Sequence, residues 1–251
     1  MAPAGYGSRV EGVHAVAAAA AAGRVEQLWV EERRRGRSDV EALIASIGSD
    51  RVSLVSDVRP HAETDVPQGL VAECSPILPV SLESLASDRA ALIVLDHIED
   101  PHNVGAVARS ALAAGITGLV LSSRRSAPLG AVAFKAAAGA LERLPVAVVG
   151  SIPEALSRVK SLGVWVVGLD ADGESTLFGL ELFTEPVAVV VGAEGQGLSA
   201  LTRKRCDVVV SIPMVGQTES LNASVSAALA SFEIMRVRGD QHSAPPPNPP
   251  G

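Results

Sequence analysis

Cysteine and aromatic residues are scarce in this sequence, and their scarcity excludes several kinds of protein. The 251 residues include two cysteines, Cys74 and Cys206, which lie far apart and form no CxxC pair. This spacing favours reduced thiols over a disulfide framework or a cysteine-ligated zinc site. Aromatic residues make up 3% of the chain, so we do not expect an aromatic platform on which single-stranded bases stack.

Long apolar runs and clusters of metal ligands are also missing. Glycine, proline or charged residues interrupt each apolar run well before the roughly 20 residues that a membrane-spanning helix needs. The N-terminus shows no basic region followed by an apolar core, as a secretory signal would, and the five histidines show no metal-ligand spacing. These features predict a cytoplasmic protein that has no membrane span and binds no metal.

The chain is acidic, with a formal net charge of −7. Such a chain has no general affinity for nucleic acid, so RNA binding requires a local basic patch. One patch is present in the segment E-E-R-R-R-G-R, where candidate phosphate-binding residues are Arg33, Arg34, Arg35 and Arg37. The alternative is a solvated turn whose charge is partly neutralised by Glu31 and Glu32.

Length and hydrophobic pattern predict two α/β domains. We place a small domain at 1–74, a linker at 75–89, a larger domain at 90–239 and a disordered, proline-rich tail at 240–251. In the small domain, helices are predicted at 10–22 and 39–47, the second capped by Asp39, and strands at 25–30, 52–55 and 70–74.

The larger domain shows six runs rich in Val, Ile and Leu, mostly separated by helical patterns. Such runs are typical of parallel strands that helices cover on both faces. The predicted strands are 90–95, 118–121, 146–149, 164–169, 187–191 and 208–212, and the helices are 104–114, 131–138, 153–162, 198–204 and 222–237. In the last helix, the spacing of Val225, Leu229, Phe232 and Met235 or Arg236 predicts the buried face.

Two of the predicted strands end in loops suited to a polar ligand. The run 187–191 leads into a glycine-rich loop, and the run 208–212 leads through Pro213 and a polar turn to a helix starting near Asn222. Ligands of open parallel sheets bind at the carboxyl ends of strands. The loop glycines follow GxxGxG rather than GxGxxG, so an ordinary dinucleotide site is not predicted. A simple glycine-rich turn is the alternative.

A third loop follows the first strand of the larger domain. Asp100 and Pro101 are suited to the N-cap and first position of a helix, which places Asn103 in the first turn. Arg109 falls roughly 140° from Val104 around the helix axis, off the apolar stripe. Arg109 is therefore able to face a ligand, although a surface arginine is the plainer interpretation.

Three segments resemble, in order and spacing, the motifs of the SpoU (TrmH) family of RNA ribose 2'-O-methyltransferases. They are D-P-H-N-V-G-A-V-A-R-S-A, V-G-A-E-G-Q-G-L, and S-I-P-M followed by S-L-N-A-S. The segments E-G-V-H-A-V and Q-G-L-V-A near the N-terminus are similar to the L30e/L7Ae-like RNA-binding domain of its RlmB-like subgroup, which methylates a guanosine of 23S rRNA.

The resemblance implies a deep trefoil knot, bound S-adenosylmethionine, a homodimer whose active site draws on both protomers, and an RNA substrate. It assigns catalysis to Asn103, Arg109, Glu194, Ser220 and Asn222, with Arg109 also contacting RNA. It assigns cofactor binding to Gly192, Ala193, Glu194, Gly195, Ile212, Met214, Leu221 and Asn222. The family's general base is Arg109, whereas the ordinary chemistry of arginine favours a phosphate clamp at this position.

Two departures from the family pattern and several alternative functions stay open. Ala223 stands where valine is usual, and Gln217-Thr218-Glu219 replaces small neutral residues. The alternatives are 2'-O-methylation of another rRNA site, 2'-O-methylation of tRNA, and an rRNA-binding protein whose knotted domain is inactive. The intact motif residues argue against the last alternative.

Overall fold

The computed structural model describes residues 5–193, 195, 197–216 and 220–240. A four-stranded sheet in the order β1-β4-β2-β3 forms the N-terminal domain. Its strands are β1 (Arg9–Glu11), β2 (Val25–Glu31), β3 (Val52–Val55) and β4 (Leu70–Cys74), and helices α1 (Val13–Ala21) and α2 (Ser38–Ile47) accompany them. Strand β4 is antiparallel to β1 and β2, while β2 and β3 are parallel.

Two local predictions in this domain are wrong. The helix predicted from residue 10 begins at Val13, because Arg9–Glu11 form a strand that pairs with β4. Gly12 separates the two elements with a φ of 84°, a conformation that glycine adopts readily. The N-cap of α2 is Arg37 rather than Asp39. Asp39 lies in the first turn of α2 and forms an ion pair with Arg37.

The C-terminal domain is built on a parallel sheet in the order β7-β6-β5-β10-β8-β11-β9. All six predicted strands are present, and β9 adds a short edge strand. The strands are β5 (Ala91–Asp96), β6 (Gly118–Ser122), β7 (Val146–Val149), β8 (Trp165–Leu169), β9 (Ser175–Thr176), β10 (Val187–Gly192) and β11 (Val208–Ser211).

Helices cover both faces of this sheet, because alternate residues of each strand point in opposite directions. In β5, Ile93 and Leu95 belong to one apolar cluster, whereas Leu92 and Val94 belong to another. The helices are α3 (Leu82–Leu85), α4 (Pro101–Ala113), α5 (Ala131–Ala137), α6 (Ile152–Ser161), α7 (Ala200–Arg203) and α8 (Ala223–Asp240). No helix among the described residues is both long and apolar enough to span a membrane.

The predicted buried face of the last helix is right at Leu229, which packs against the core, and wrong at the other apolar positions. Helix α8 buries Ala223, Ala227, Ala230 and Ile234, whereas Val225, Phe232 and Met235 are 46%, 44% and 44% exposed. Small residues let α8 pack closely on α4. Sequence periodicity does not separate these two faces, because both carry apolar residues at helical spacing.

The segment predicted as a linker contains structure, and the two domains pack together. Leu82 and Leu85 of α3 are buried beside β7 and α6. The guanidinium of Arg24 in the N-terminal domain forms an ion pair with Glu142 in the C-terminal domain, where their side chains are 12% and 2% exposed.

Tyr6 and Cys74, near this junction, and Cys206, beside β8 in the C-terminal domain, are wholly or partly shielded from water. Tyr6 lies 6.2 Å from Phe134, measured between ring centroids, and burial raises the pKa of Tyr6 to about 12. Both cysteines are free, and burial raises the pKa of Cys74 and of Cys206 to about 11. The thiols therefore stay protonated and unreactive near neutral pH.

The Glu142→Ala variant is expected to lose about 3 kcal/mol of unfolding free energy, because it leaves the buried Arg24 guanidinium without its carboxylate. Glu83→Ala is the matched control, since it removes an exposed ion pair with Arg158 and should cost less than about 1 kcal/mol. Urea denaturation followed by circular dichroism measures both. Equal losses of unfolding free energy in the two variants would show that the interdomain ion pair stabilises the protein no more than the exposed ion pair does.

Candidate functional site

A cavity of about 340 Å³ opens at the carboxyl ends of β8, β10 and β11. This volume lies within the roughly 300–1,000 Å³ range of small-molecule sites, and its position is the usual ligand site of an open parallel sheet. The lining residues come from three strand ends and the start of α8. They are Leu169, Asp170, Ala171, Val191, Gly192, Ala193, Gly195, Gly197, Ile212, Met214, Ser220, Leu221, Ala223 and Ser226.

Glycine is required where the loop after β10 folds back on itself. The backbone N–H of Gly197 donates to the carbonyl of Ala193 at 3.0 Å. A side chain on Gly192 would overlap the backbone of Gly197, and Gly197 itself has a φ of 64°. Small residues here leave backbone groups exposed to the cavity.

Gly192→Ala is expected to weaken S-adenosylmethionine binding by about 10-fold or more, because the added methyl group displaces the returning loop. Gly216→Ala is the matched control, because, its chain neighbours aside, no atom of the described residues lies within 4 Å of a Cβ placed at Gly216. Isothermal titration calorimetry in the presence of EDTA measures both affinities and also tests whether binding is metal-free. Unchanged affinity in Gly192→Ala would contradict the assignment of this loop.

The structure brings most of the predicted cofactor residues to this cavity. Gly192, Ala193, Gly195, Ile212, Met214 and Leu221 all line it. Asn222 does not line the cavity but lies between two residues that do. Glu194 and the Gln217-Thr218-Glu219 segment lie outside the described residues. The cofactor-binding role of these residues remains a prediction.

Asp170 is a cavity residue that sequence reasoning missed. Its Oδ2 accepts a hydrogen bond from the Leu198 N–H at 3.2 Å and lies 3.2 Å from Arg203 Nη1. The carboxylate therefore ties the end of β8 to the glycine loop. A carboxylate directly after the predicted strand 164–169 was the available signal, because strand ends of a parallel sheet share one edge.

Asp96 performs a similar structural role at the end of β5. Its side chain is buried, and Oδ2 accepts a hydrogen bond from the Ser199 N–H at 3.1 Å. His97 Nδ1 lies 3.1 Å from Asp96 Oδ1. Two carboxylates thus hold the segment that follows the glycine loop.

Asn103 and Asn222 meet beside the cavity although they are far apart in sequence. Asp100 caps α4 by accepting from the His102 N–H at 2.8 Å, which places Asn103 in the first turn as predicted. Asn222 Nδ2 donates to Asn103 Oδ1 at 3.0 Å. Asn222 Oδ1 also accepts from the Ser224 N–H at 2.8 Å, so Asn222 caps α8.

Arg109 is exposed and does not line the cavity. It follows Asn103 by six residues on α4, which is about 9 Å along the helix axis. The structure therefore places the Asn103–Asn222 pair close to the cavity residue Ser220. Within a single chain, Arg109 does not reach the cavity.

The arginines of the basic loop differ in their contacts. Arg33 forms an ion pair with Glu31, and Arg37 forms one with Asp39. Arg33 and Arg34 line a second cavity, whereas Arg35 and Arg37 do not. Within the described residues, no three His, Cys, Asp or Glu side chains are placed to hold a metal ion.

Family models match both parts of the chain. Residues 90–232 match the SpoU rRNA Methylase family, and residues 9–79 match the RNA 2'-O ribose methyltransferase substrate-binding domain. The chain belongs to the SpoU rRNA methylase family. The predicted α/β fold with a parallel sheet and an N-terminal substrate-binding domain is confirmed.

Two SpoU relatives illustrate the sequence similarity. The chain is 36% identical over 243 residues to the 23S rRNA (guanosine-2'-O-)-methyltransferase RlmB of Pseudomonas putida, covering 92% of this chain and 96% of the relative. It is 44% identical over 178 residues to an uncharacterized tRNA/rRNA methyltransferase of Synechocystis, covering 68% of this chain and 46% of the relative. The chain thus spans about half the length of several curated relatives that it matches.

The fold is similar to that of solved SpoU methyltransferases. One is AviRb from Streptomyces viridochromogenes in complex with AdoMet, with a TM-score of 0.77 and 27% identity. The similarity covers 92% of this chain and 90% of AviRb.

Proposed function

We propose that this protein transfers a methyl group from S-adenosylmethionine to a ribose 2'-hydroxyl of RNA, with a guanosine of 23S rRNA as the substrate. The observation that carries the proposal is the glycine-lined cavity beside the Asn103–Asn222 pair, within a chain of the SpoU family. The similarity to RlmB over 92% of the chain supports 23S rRNA. We expect a protein with this activity in the cytoplasm, where bacterial ribosomes are assembled.

Two observations support S-adenosylmethionine as the ligand of this cavity. Its lining combines glycine and alanine of the returning loop with apolar side chains such as Leu169, Ile212 and Leu221, and a side chain on Gly192 would collide with that loop. Backbone groups at Gly192, Ile212 and Leu221 would hold the cofactor. When bound, S-adenosylmethionine supplies an electrophilic methyl group on a sulfonium centre.

The residues around the cavity position the RNA. In this proposal, Ser220 at the cavity and the adjoining Asn103–Asn222 pair orient the ribose 2'-oxygen toward the methyl group. Arg109 binds an RNA phosphate next to that ribose, because a guanidinium stays protonated and forms bidentate hydrogen bonds with phosphate. The 2'-hydroxyl proton leaves through the substrate phosphate or solvent rather than to Arg109.

A homodimer completes this site. The exposed apolar residues Val225, Phe232 and Met235 lie on α8, which packs on the helix that carries Arg109. A second copy of the chain covers these side chains and places its own Arg109 near the cavity. The resemblance to the SpoU motifs leads us to propose a deep trefoil knot in the same domain.

Phe232→Asp is expected to convert the dimer to a monomer and to lower methyl transfer by about 10-fold or more, because a carboxylate cannot be buried without a partner. Leu78→Asp is the matched control, since Leu78 is 69% exposed and lies outside α8. Light scattering coupled to gel filtration measures the molar mass. An active monomer at assay concentration would contradict the dimer.

The proposed function can be tested in cells. Mapping of 2'-O-methyl groups in rRNA from strains with and without the gene should show loss of one ribose methylation, at a guanosine of 23S rRNA. A lost methyl group at another rRNA position or in tRNA would support one of the alternative substrates instead. No lost methyl group, together with retained RNA binding, would support the non-enzymatic alternative.

A further inference from the structure

A second cavity, of about 570 Å³, lies in the N-terminal domain. It is formed by the end of β2, the basic loop that follows it, and the loop 56–69 between β3 and β4. Three of its lining residues are arginines: Arg33, Arg34 and Arg59. Arg59 lies 25 residues beyond Arg34 in sequence, so the basic loop alone does not reveal this cluster.

Two of the three guanidinium groups form exposed ion pairs and remain available to a ligand. Arg33 forms an ion pair with Glu31, and Arg59 Nη2 lies 2.8 Å from Asp57 Oδ2. The Arg33 and Arg59 side chains are 75% and 73% exposed, so these ion pairs are weak and leave further N–H donors for a ligand.

Arg34 lies against the backbone of the opposite loop. A Cβ added to Gly69 would lie 2.9 Å from Arg34 Nε, and Gly69 has a φ of 79°. Glycine therefore allows the guanidinium to lie against the start of β4. Arg34 is half-buried, in contrast to the exposed Arg35 and Arg37.

The loop that closes the cavity is fixed to the rest of the N-terminal domain. The buried carboxylate of Glu11 accepts from the N–H groups of Glu63 at 2.6 Å and Thr64 at 3.1 Å. His61 stacks on Trp29, with 4.2 Å between ring centroids and 8° between planes. These contacts keep the cavity open without a bound partner.

The same loop is fixed to the catalytic domain. Lys135 Nζ on α5 donates to the Val66 carbonyl at 2.6 Å and to Thr64 Oγ1 at 3.1 Å. Helix α5 in turn packs so closely on α4 that a Cβ at Gly105 would lie 2.6 Å from Ala136 Cβ. The cavity therefore lies at a fixed distance from Asn103 on α4.

We infer that this cavity binds one nucleotide of the RNA substrate, distinct from the nucleotide that reacts, with its phosphates at Arg33, Arg34 and Arg59. This inference rests on the proposed function. The cavity is larger than a phosphate requires, and its lining also contains the carboxylates of Glu31, Asp57 and Asp65 and the amide of Gln68. Their acceptor groups suit the N–H and O–H donors of a base and ribose. Its fixed distance from Asn103 selects RNAs that present a second nucleotide at the matching separation.

Single alanine substitutions distinguish this cavity from general electrostatic attraction. Arg34→Ala and Arg59→Ala are expected to weaken binding of a 23S rRNA fragment by about 10-fold, and to reduce the slope of log affinity against log salt by about one. Arg158→Ala and Arg205→Ala are controls that remove the same charge from exposed side chains of the C-terminal domain, outside the cavity, and their affinity should stay within about 2-fold of wild type. Fluorescence anisotropy at several salt concentrations measures all four variants.

Steady-state methylation provides a second readout. The cavity variants should raise KM for RNA while leaving kcat and S-adenosylmethionine affinity unchanged, and Arg59→Lys should recover part of the lost affinity. Equal losses in all four alanine variants, or wild-type affinity in the cavity variants, would overturn the inference. Anisotropy does not require methyl transfer, so a protein that binds RNA in this cavity without methylating it would refute the proposed function alone.

Discussion

Arg109→Ala is expected to lower the rate of methyl transfer by about 10²-fold or more, the usual cost of losing a positioned charge-stabilising group. S-adenosylmethionine affinity should stay within a few-fold of wild type, because Arg109 does not line the cavity. The side chain is exposed and lies off the apolar stripe of α4, so its removal should cost little stability. Single-turnover kinetics and calorimetry measure the two quantities separately.

Arg109→Lys separates a phosphate clamp from a general base. A clamp needs positive charge, so the lysine variant should keep part of the activity and lose it as pH rises toward about 10.4, where lysine deprotonates. A base needs the deprotonated side chain, so its rate would instead increase over the same interval. Wild-type transfer rates in both the alanine and lysine variants would show that Arg109 has no catalytic role.

Asn222→Asp is the second substitution with a large expected effect, a loss of about 10²-fold or more in methyl transfer. Aspartate still caps α8, so the stability should change by less than about 1 kcal/mol. The amide that donates to Asn103 Oδ1 at 3.0 Å becomes a carboxylate oxygen that repels it. Thermal unfolding and single-turnover kinetics on the same samples separate the cap from the Asn103 contact.

Asn222→Ser is the control for the cap, because serine also caps helices. It lacks the amide and should also be stable but slow. A stable Asn222→Asp protein with wild-type transfer would remove the Asn103–Asn222 pair from the mechanism.

The two inactive variants together test whether the active site is shared. In mixed dimers of Arg109→Ala and Asn222→Asp chains, one site carries both substitutions and the other carries neither, provided that Arg109 acts across the interface. Such a mixture should recover about a quarter of wild-type activity, because half of the dimers are mixed and each has one intact site. If Arg109 acts within its own chain, no mixed dimer has an intact site and activity stays at background.

The sequence predicts the parallel sheet because each buried strand is marked by its own run of apolar residues. Buried parallel strands require continuous apolar runs, and each of the six predicted runs forms a strand of the C-terminal sheet. The strand Arg9–Glu11 was missed because it has three residues and its only apolar side chain, Val10, also fits a helical pattern. Its pairing with β4, 60 residues away, is a tertiary contact that local pattern does not contain.

The candidate site also has parts that local sequence predicts and parts that depend on tertiary contacts. Glycines 192, 195 and 197 were predicted from loop chemistry, and they line the cavity. The contact between Asn103 and Asn222 joins residues 119 apart, and only the resemblance to SpoU motifs placed them in one site. Asp170 and Arg59 were missed because each acts through neighbours that the fold supplies: Leu198 for Asp170, and Arg34 with Arg33 for Arg59.

The most direct test of the account is methyl transfer to defined RNA by the purified protein. With S-adenosylmethionine carrying a labelled methyl group and a 23S rRNA transcript, the account predicts one ribose 2'-O-methylguanosine, identified by mass spectrometry of the digested nucleosides. The same reaction with a transcript that carries 2'-deoxyguanosine at that position should show no transfer. A label found on a base, or no transfer despite saturating RNA and cofactor, would contradict the assignment as a 2'-O-methyltransferase.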